Sequence, residues 1–150
     1  MNFKNFFIFI TVFLLAFMVL FFTTNPSYEK SLEAKYHYEM GDYTKAYNLA
    51  KEAFSEDVYN RMASTIMAQS RTSMKYEKYI KESKEYLRVI NEIIAQDNID
   101  EAQRSKIKLM SEIMVESYVK LAPSVITDKT LVQEASRYHE QFEKILDKVK

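Results

Sequence analysis

The sequence lacks cysteine altogether and has only one glycine and two prolines among its 150 residues. Without cysteine, the chain forms neither disulfides nor thiolate metal sites. Hairpin turns and phosphate-binding loops usually need glycine, because their backbone adopts positive φ angles. A chain so poor in glycine is therefore expected to consist of helices joined by short polar turns.

An excess of charge of either sign is also missing, since 21 basic side chains balance 21 acidic ones. Lys4 is the only charged residue before Glu29, so the rest of the chain carries 20 basic and 21 acidic side chains. Nucleic-acid-binding proteins usually carry a basic patch or a basic excess. The composition therefore gives no reason to expect nucleic acid as a partner.

One long hydrophobic run lies near the N-terminus, from Phe6 to Phe22, with Thr11 as its only polar residue. As a helix the run is about 25 Å long, near the lower limit for crossing a bilayer. Residues 1–24 are therefore interpreted as a signal-anchor transmembrane helix, and residues 25–150 as one further domain. The alternative is a cleaved signal peptide, which has a shorter apolar core and a cleavage site of the small-x-small type. Thr23-Thr24-Asn25-Pro26 follows the run instead.

The charges around this run predict its orientation. Lys4 and the α-amino group precede it, and no lysine or arginine follows until Lys30. The positive-inside rule then places the N-terminus in the cytoplasm and residues 25–150 across the membrane. In a bacterium this describes a single-pass inner-membrane protein with residues 25–150 in the periplasm.

Hydrophobic spacing after residue 25 predicts an all-α fold. The first helix carries Tyr28, Leu32 and Tyr36 on one stripe, and Ser55-Glu56-Asp57 is expected to cap the third. Because the third segment is long, a break is expected near Arg71 to Met74. The turn Asp97-Asn98-Ile99-Asp100 is expected to cap the next helix, and Thr127 or Asp128 the last. Three antiparallel helical hairpins result, at 27–54, 58–96 and 100–148.

A specific set of residues occurs in the first hairpin. Ala34 and Tyr38 precede Gly41-Asp42-Tyr43, and Ala46 and Ala53 follow it. Glycine allows the chain to reverse, the tyrosine fills the hairpin, and the alanines allow two helices to approach closely. Over residues 27–60 this set resembles the tetratricopeptide repeat, a helix–turn–helix unit of 34 residues. Four positions depart from the repeat pattern, namely Lys30, Glu33, Ala50 and Val58. The alternative is an ordinary helical hairpin that happens to contain Gly-Asp-Tyr.

The resemblance also implies where a partner is bound. In tetratricopeptide repeats the first helix lines a concave groove, so the expected partner contacts are Tyr28, Lys35, Tyr38 and Glu39. The positions of the basic clamp for C-terminal carboxylates are here Ser31 and Lys35, so that specialised role is not expected. The crowding of tyrosines between Tyr28 and Tyr59 fits either repeat packing or an interface.

Residues capable of catalysis or metal binding are sparse. His37 and His139 lack ligand neighbours at metal-binding spacing. Asp97, Asp100 and Glu101 are explained by helix capping, since a calcium loop needs a central glycine. We therefore expect no catalytic residue, no metal site, no cofactor and no small-molecule substrate. A spaced basic row is interpreted as a solvated face, with acidic protein or anionic lipid as the alternative contact; its members are Arg71, Lys75, Lys78, Lys81 and Arg88.

The anchor and the resemblance together imply a function. Membrane-anchored repeat proteins of this plan are structural adaptors, so the expected partners are other proteins of a multi-subunit membrane complex. A periplasmic accessory component of the bacterial flagellar motor is the first candidate. The alternative is a chaperone-like helper or receptor that binds exported or imported polypeptides at a translocon. Import receptors of that plan carry a charged linker after the anchor, and Thr23 to Ser27 has none.

Overall fold

The computed structural model describes residues 3–96, 98–124 and 127–149, apart from the side chains of residues 22 and 23. Within these ranges there are six helices and no strand. The helices are α1 (Phe3–Thr24), α2 (Pro26–Glu39), α3 (Tyr43–Glu56), α4 (Arg61–Ile94), α5 (Glu101–Val119) and α6 (Lys129–Val149). The predicted all-α class is confirmed. Asp97, from the predicted capping turn, lies outside the described residues.

The chain divides into two compact units, Met1–Ser70 and Arg71–Lys150. The first unit contains α1, α2, α3 and the beginning of α4. The second contains the remainder of α4 together with α5 and α6. Each unit has its own hydrophobic core.

Helix α1 is long and apolar enough to span a membrane, and it is the one helix of this kind in the described part of the chain. Its described side chains are all exposed, so it is not a core helix of the first unit. The hydroxyl group of Thr11 donates a hydrogen bond of 2.9 Å to the carbonyl of Phe7 within the same helix. The polar side chain in the middle of the run is thus satisfied internally, as a hydrocarbon environment requires.

The connection between α2 and α3 is a tight turn centred on Gly41. The amide of Gly41 donates to the carbonyl of Tyr38 at 3.1 Å, and the amide of Asp42 donates to the carbonyl of His37 at 2.9 Å. These two bonds form a Schellman motif, in which the residue after the helix adopts a left-handed conformation. Gly41 has a φ of 81°. Asp42 then caps α3 by accepting a hydrogen bond from the amide of Lys45.

Helices α2 and α3 pack through small side chains. Ala34 of α2 and Ala46 and Ala50 of α3 are fully buried in one cluster with Ile66 of α4. Two of the small residues of the predicted repeat, Ala34 and Ala46, therefore lie buried between α2 and α3, together with Ala50, where the repeat has a bulky aromatic residue.

The predicted stripe on α2 is not the buried one. Leu32 and Tyr36 are 41% and 60% exposed, whereas Ser27, Ser31 and Ala34 are buried. Close packing of the backbones selects small residues for the buried face, so the buried face of α2 differs from its hydrophobic stripe.

Helix α4 begins at Arg61, three residues later than expected. Its N-terminal cap is Asn60, whose side-chain oxygen accepts a hydrogen bond from the amide of Ala63 at 3.1 Å. The carboxylate of Asp57 instead accepts from the amide of Tyr59 in the loop. The prediction that Ser55-Glu56-Asp57 caps this helix was therefore wrong, because three further loop residues separate that segment from the first turn.

Helix α4 continues without interruption for 34 residues. The expected break near Arg71 to Met74 is absent, and one helix replaces the hairpin predicted at 58–96. The break had been inferred from length alone, and the sequence of α4 contains neither glycine nor proline to produce it.

The core of the second unit is formed by α4, α5 and α6. Its fully buried members include Tyr76, Ile90, Ile107, Met114 and Phe142. Helix α5 starts with a capping box, in which Asp100 and Gln103 each accept the other's backbone amide. Asp128 accepts a hydrogen bond from the amide of Thr130 in the first turn of α6. The predicted caps at Asp100 and Asp128 are confirmed.

Candidate protein-binding groove

A groove of about 400 Å³ lies on the surface of the first unit between α2 and the beginning of α4. We call it the α2/α4 groove, and it is lined by Lys35, Tyr38, Glu39, Arg61, Met62, Thr65, Ile66 and Gln69.

The α2 wall presents Lys35, Tyr38 and Glu39, which share a helix face because they are three and four residues apart. The ammonium group of Lys35 lies 3.8 Å from the carboxylate of Glu39. Tyr38 is half-buried, and its ring centroid is 5.3 Å from that of Tyr43 in an edge-to-face arrangement. Tyr43 is itself buried in α3 and so supports the ring of Tyr38 from behind.

The α4 wall provides the apolar floor. Ile66 is 4% exposed and belongs to the core cluster of the first unit, while Met62 packs against that cluster from one turn earlier. Thr65 is exposed and Gln69 is partly exposed at the same face. The position of this wall depends on Asn60, because its cap sets where the first turn of α4 begins.

The rim of the groove carries a positive charge that no described residue neutralises. Lys35 and Glu39 offset one another, whereas Arg61 takes part in none of the ion pairs of the described residues. Arg61 is exposed at the mouth. The groove therefore combines an apolar floor, an aromatic side wall and a cationic rim, which suits a polypeptide segment with an apolar and an acidic side chain.

The structure brings together three of the four residues expected to contact a partner. Lys35, Tyr38 and Glu39 line the α2/α4 groove. Tyr28 lies elsewhere, with its ring centroid 5.5 Å from that of Phe21 at the junction of α1 and α2. Its role as a partner contact stays a prediction.

The α4 wall of the groove was not predicted from the sequence. Arg61, Met62, Thr65 and Gln69 belong to a helix that is separated from α2 by the whole of α3. The signal available in the sequence was the four-residue spacing of Met62 and Ile66, which marks an apolar face of α4. That spacing does not reveal that part of the face stays uncovered.

Of the other residues noted in the sequence, Arg88 and the two histidines have charged or aromatic neighbours. Arg88 lies 2.6 Å from Glu85 and 2.5 Å from Glu92, and its hydrogen bond to Glu85 and the nearby charges raise its pKa further above the usual range. His37 lies 3.8 Å from Glu33, and His139 stacks on the ring of Tyr118 with centroids 4.1 Å apart. Over the described ranges, no three His, Asp or Glu side chains are grouped as metal ligands.

Comparison with protein-family models, with curated proteins and with solved structures finds no match to this chain. The resemblance of residues 27–60 to a tetratricopeptide repeat therefore stays a prediction that depends on the residues themselves.

Proposed function

We propose that this chain is a non-enzymatic, membrane-anchored adaptor that holds a segment of a partner protein in the α2/α4 groove. The observation that carries the proposal is the convergence of Lys35, Tyr38 and Glu39 with the apolar floor at Met62 and Ile66. The partner segment places an apolar side chain on this floor and an acidic side chain beside Arg61.

The dimensions and chemistry of the groove support this occupant. Its volume of about 400 Å³ is within the range of well-formed binding sites. Tyrosine, methionine and arginine are enriched at protein interfaces, and a half-buried aromatic side chain costs little entropy to immobilise. The exposed ammonium, carboxylate and guanidinium groups form a polar rim around an apolar centre, which is the usual arrangement of an interface.

The arrangement of the helices also supports the resemblance to tetratricopeptide repeats. The groove is lined by α2 and the beginning of α4, whereas α3 packs against α2 through its alanine face. In tetratricopeptide repeats the first helices of successive units line the groove and the second helices lie behind them. We propose that α2 and α3 form one such repeat, and that the beginning of α4 provides the second wall of its groove.

Helix α1 supplies the membrane anchor in this proposal. Its length, composition and exposed side chains fit a transmembrane helix. Lys4 favours a cytoplasmic N-terminus, so we propose that the groove faces the periplasm of a bacterial inner membrane. The periplasmic structures of the flagellar motor are the first assembly in which to search for the partner.

A chaperone-like helper at a translocon is the alternative, and Met62 favours it. The flexible methionine side chain adapts to different apolar partners and is common in promiscuous binding surfaces. A stoichiometric complex that survives detergent extraction supports the adaptor, and a changing set of weakly bound clients supports the helper.

The test blocks the groove without altering the core. Thr65 is exposed in the groove, so Thr65→Trp fills the space above Ile66 while Thr65→Ser leaves it open. With a photo-crosslinking residue at Gln69 in cells, we expect the wild type and Thr65→Ser to capture the same protein. Thr65→Trp is expected to reduce its capture at least tenfold, since central interface contacts contribute about 2 kcal/mol or more.

A second variant tests the charge at the rim. Arg61→Glu is expected to weaken the same complex, and more strongly at low salt, where charges are less screened. Tyr59→Phe serves as the control, because Tyr59 is 87% exposed and outside the groove.

Full capture by Thr65→Trp, with melting unchanged, would show that the partner is held at another surface.

A further inference from the structure

A second groove, of about 260 Å³, lies within the second unit between α4 and the C-terminal end of α5. Three lysines surround it, Lys75 and Lys78 from α4 and Lys120 directly after α5. We infer that this lysine groove is a separate docking site for an acidic polypeptide segment. The inference is independent of the function proposed for the α2/α4 groove.

Helix geometry places the lysines together. Lys75, Lys78, Tyr79 and Glu82 follow the spacing i, i+3, i+4 and i+7, so they share one face of α4. Lys120 is the C-cap residue of α5, and its backbone amide donates to the carbonyl of Ser117. The cap holds the start of the Lys120 side chain in place beside the α4 face.

The lysine groove is poor in counter-charges. Among the described residues that line it, Glu82 is the one acidic side chain, and its carboxylate lies 3.8 Å from the ammonium group of Lys78. Lys75 and Lys120 are exposed and make no ion pair with any described residue. Elsewhere in this unit Lys84 lies 3.0 Å from Glu134 and Lys108 lies 3.9 Å from Glu112.

Two unpaired ammonium groups at one groove create a local positive potential in a chain of zero net charge. Lysine is also a flexible point charge, so three lysines can each meet a separate carboxylate. The expected ligand therefore carries several acidic groups that are spread along a chain.

The floor of the groove is apolar, which further restricts the kind of peptide that fits. Tyr79 is 3% exposed, and burial raises the pKa of its hydroxyl group to about 12. A tyrosine is neutral at physiological pH even with its ordinary pKa, so this side chain adds no charge to the floor. Leu121 completes the floor and is partly buried. A peptide with an aliphatic side chain between its carboxylates fits both the floor and the rim.

The same geometry argues against a phosphate group as the natural ligand. Phosphate sites commonly use helix N-termini and arginine side chains. The described residues that line this groove include neither an arginine nor the first turn of a helix. A phosphate group is therefore expected to bind this groove more weakly than an extended acidic segment does.

The test measures binding of a defined peptide to the full chain in detergent micelles. The probe is a fluorescent octapeptide with four glutamates and two leucines, and its counterpart has glutamine at each glutamate position. We expect saturable binding of the acidic peptide only. Carbodiimide, which joins carboxylates to amines, is expected to crosslink this peptide to Lys75, Lys78 or Lys120.

Matched double variants separate the groove from general charge effects. Lys75→Glu with Lys120→Glu is expected to weaken binding at least tenfold. Lys106→Glu with Lys144→Glu makes the same change in net charge at exposed lysines outside the groove, and less than a twofold effect is expected. Lys106 is about 16 Å along α5 from Ser117, as the helical rise of about 1.5 Å per residue gives.

Four other outcomes would contradict the inference. Equal losses in the two double variants would show non-specific attraction. Displacement of the peptide by millimolar inorganic phosphate would indicate a simple anion site. Lysine-dependent binding to vesicles with 30% phosphatidylglycerol, without peptide binding, would indicate a lipid surface. Thr65→Trp is expected to bind the peptide normally, and its failure would place the peptide in the α2/α4 groove instead.

Discussion

At the scale of single residues, Gly41 determines how α2 can turn into α3. Its φ of 81° allows the two hydrogen bonds that close the Schellman motif. A Cβ atom built at Gly41 would meet no atom within 4 Å. The requirement for glycine is therefore conformational and not a matter of space.

This distinction leads to a prediction with an internal control. A left-handed conformation costs an L-residue about 1 to 2 kcal/mol, and least for asparagine. We expect Gly41→Ala to lower the melting temperature of the first unit by a few degrees, Gly41→Val by more, and Gly41→Asn by the least. Thermal melting of the chain in detergent, followed by circular dichroism, measures the melting temperatures of the three variants and the wild type. Equal melting of all three variants and the wild type would mean that the turn relaxes without cost.

The residues of α2 show which part of the candidate site was visible in the sequence. Gly41 and Ala46 were identifiable because a tight turn and a close helix approach each require a particular residue type. The buried face of α2 was not identifiable, because Ser27 and Ser31 are polar and small and carry no hydrophobic signal. Their burial depends on a hydrogen-bond partner that comes from a distant loop.

At the scale of elements, that partner is Asn60, which connects three helices of the first unit. Its side-chain amide donates to the hydroxyl groups of Ser27 and Ser31, both at 2.8 Å. Ser27 in turn donates to the carbonyl of Ala53 at the end of α3. The side-chain oxygen of Asn60 caps α4, so this one residue satisfies buried groups of α2 while it fixes the start of α4.

Loss of this network is expected to destabilise the first unit. Asn60→Ala removes the cap and leaves two buried hydroxyl groups without their donor, which together cost about 2 to 4 kcal/mol. Asn48→Ala, on the exposed face of α3, is the control and is expected to change stability by less than about 0.5 kcal/mol. Urea titration followed by circular dichroism gives both values. If Asn60→Ala matched the control, the network would contribute nothing to stability.

The length of α4 could not be predicted for a different reason. A break was expected because long helices are uncommon, and no residue in the segment supported it. An uninterrupted pattern without glycine or proline was in fact the stronger signal. The α4 wall of the groove depends on how this helix packs beside α2, and residue spacing within one helix does not contain that information.

At the scale of the whole molecule, the proposed function needs both an anchor and a binding surface. The apolar helix α1 could be predicted almost completely, since the apolar run from Phe6 to Phe22 is a local property of the sequence. Only one wall of the α2/α4 groove could be predicted, through the resemblance of residues 27–60. The lysine groove could not be predicted, because Lys120 follows Lys75 by more than forty residues and only folding brings them together.

The anchor can be tested together with the complex that it is proposed to hold. Each apolar residue of α1 favours insertion by about 0.3 to 0.6 kcal/mol, and each central lysine opposes it by about 2.5 to 3.5 kcal/mol. Phe13→Lys with Phe17→Lys should therefore cancel most of the several kcal/mol that favour the membrane. We expect this variant in the supernatant after carbonate extraction, and Phe13→Leu with Phe17→Leu in the pellet.

The captured partner provides the second readout of this experiment. It is expected to sediment with the wild type and the leucine variant, and to leave the pellet or lose its association when the lysine variant is expressed. A soluble wild-type form that begins near Asn25 would show instead that α1 is removed as a signal peptide. In that case the α2/α4 groove would act in solution, and the partner would be captured equally well by a chain without α1.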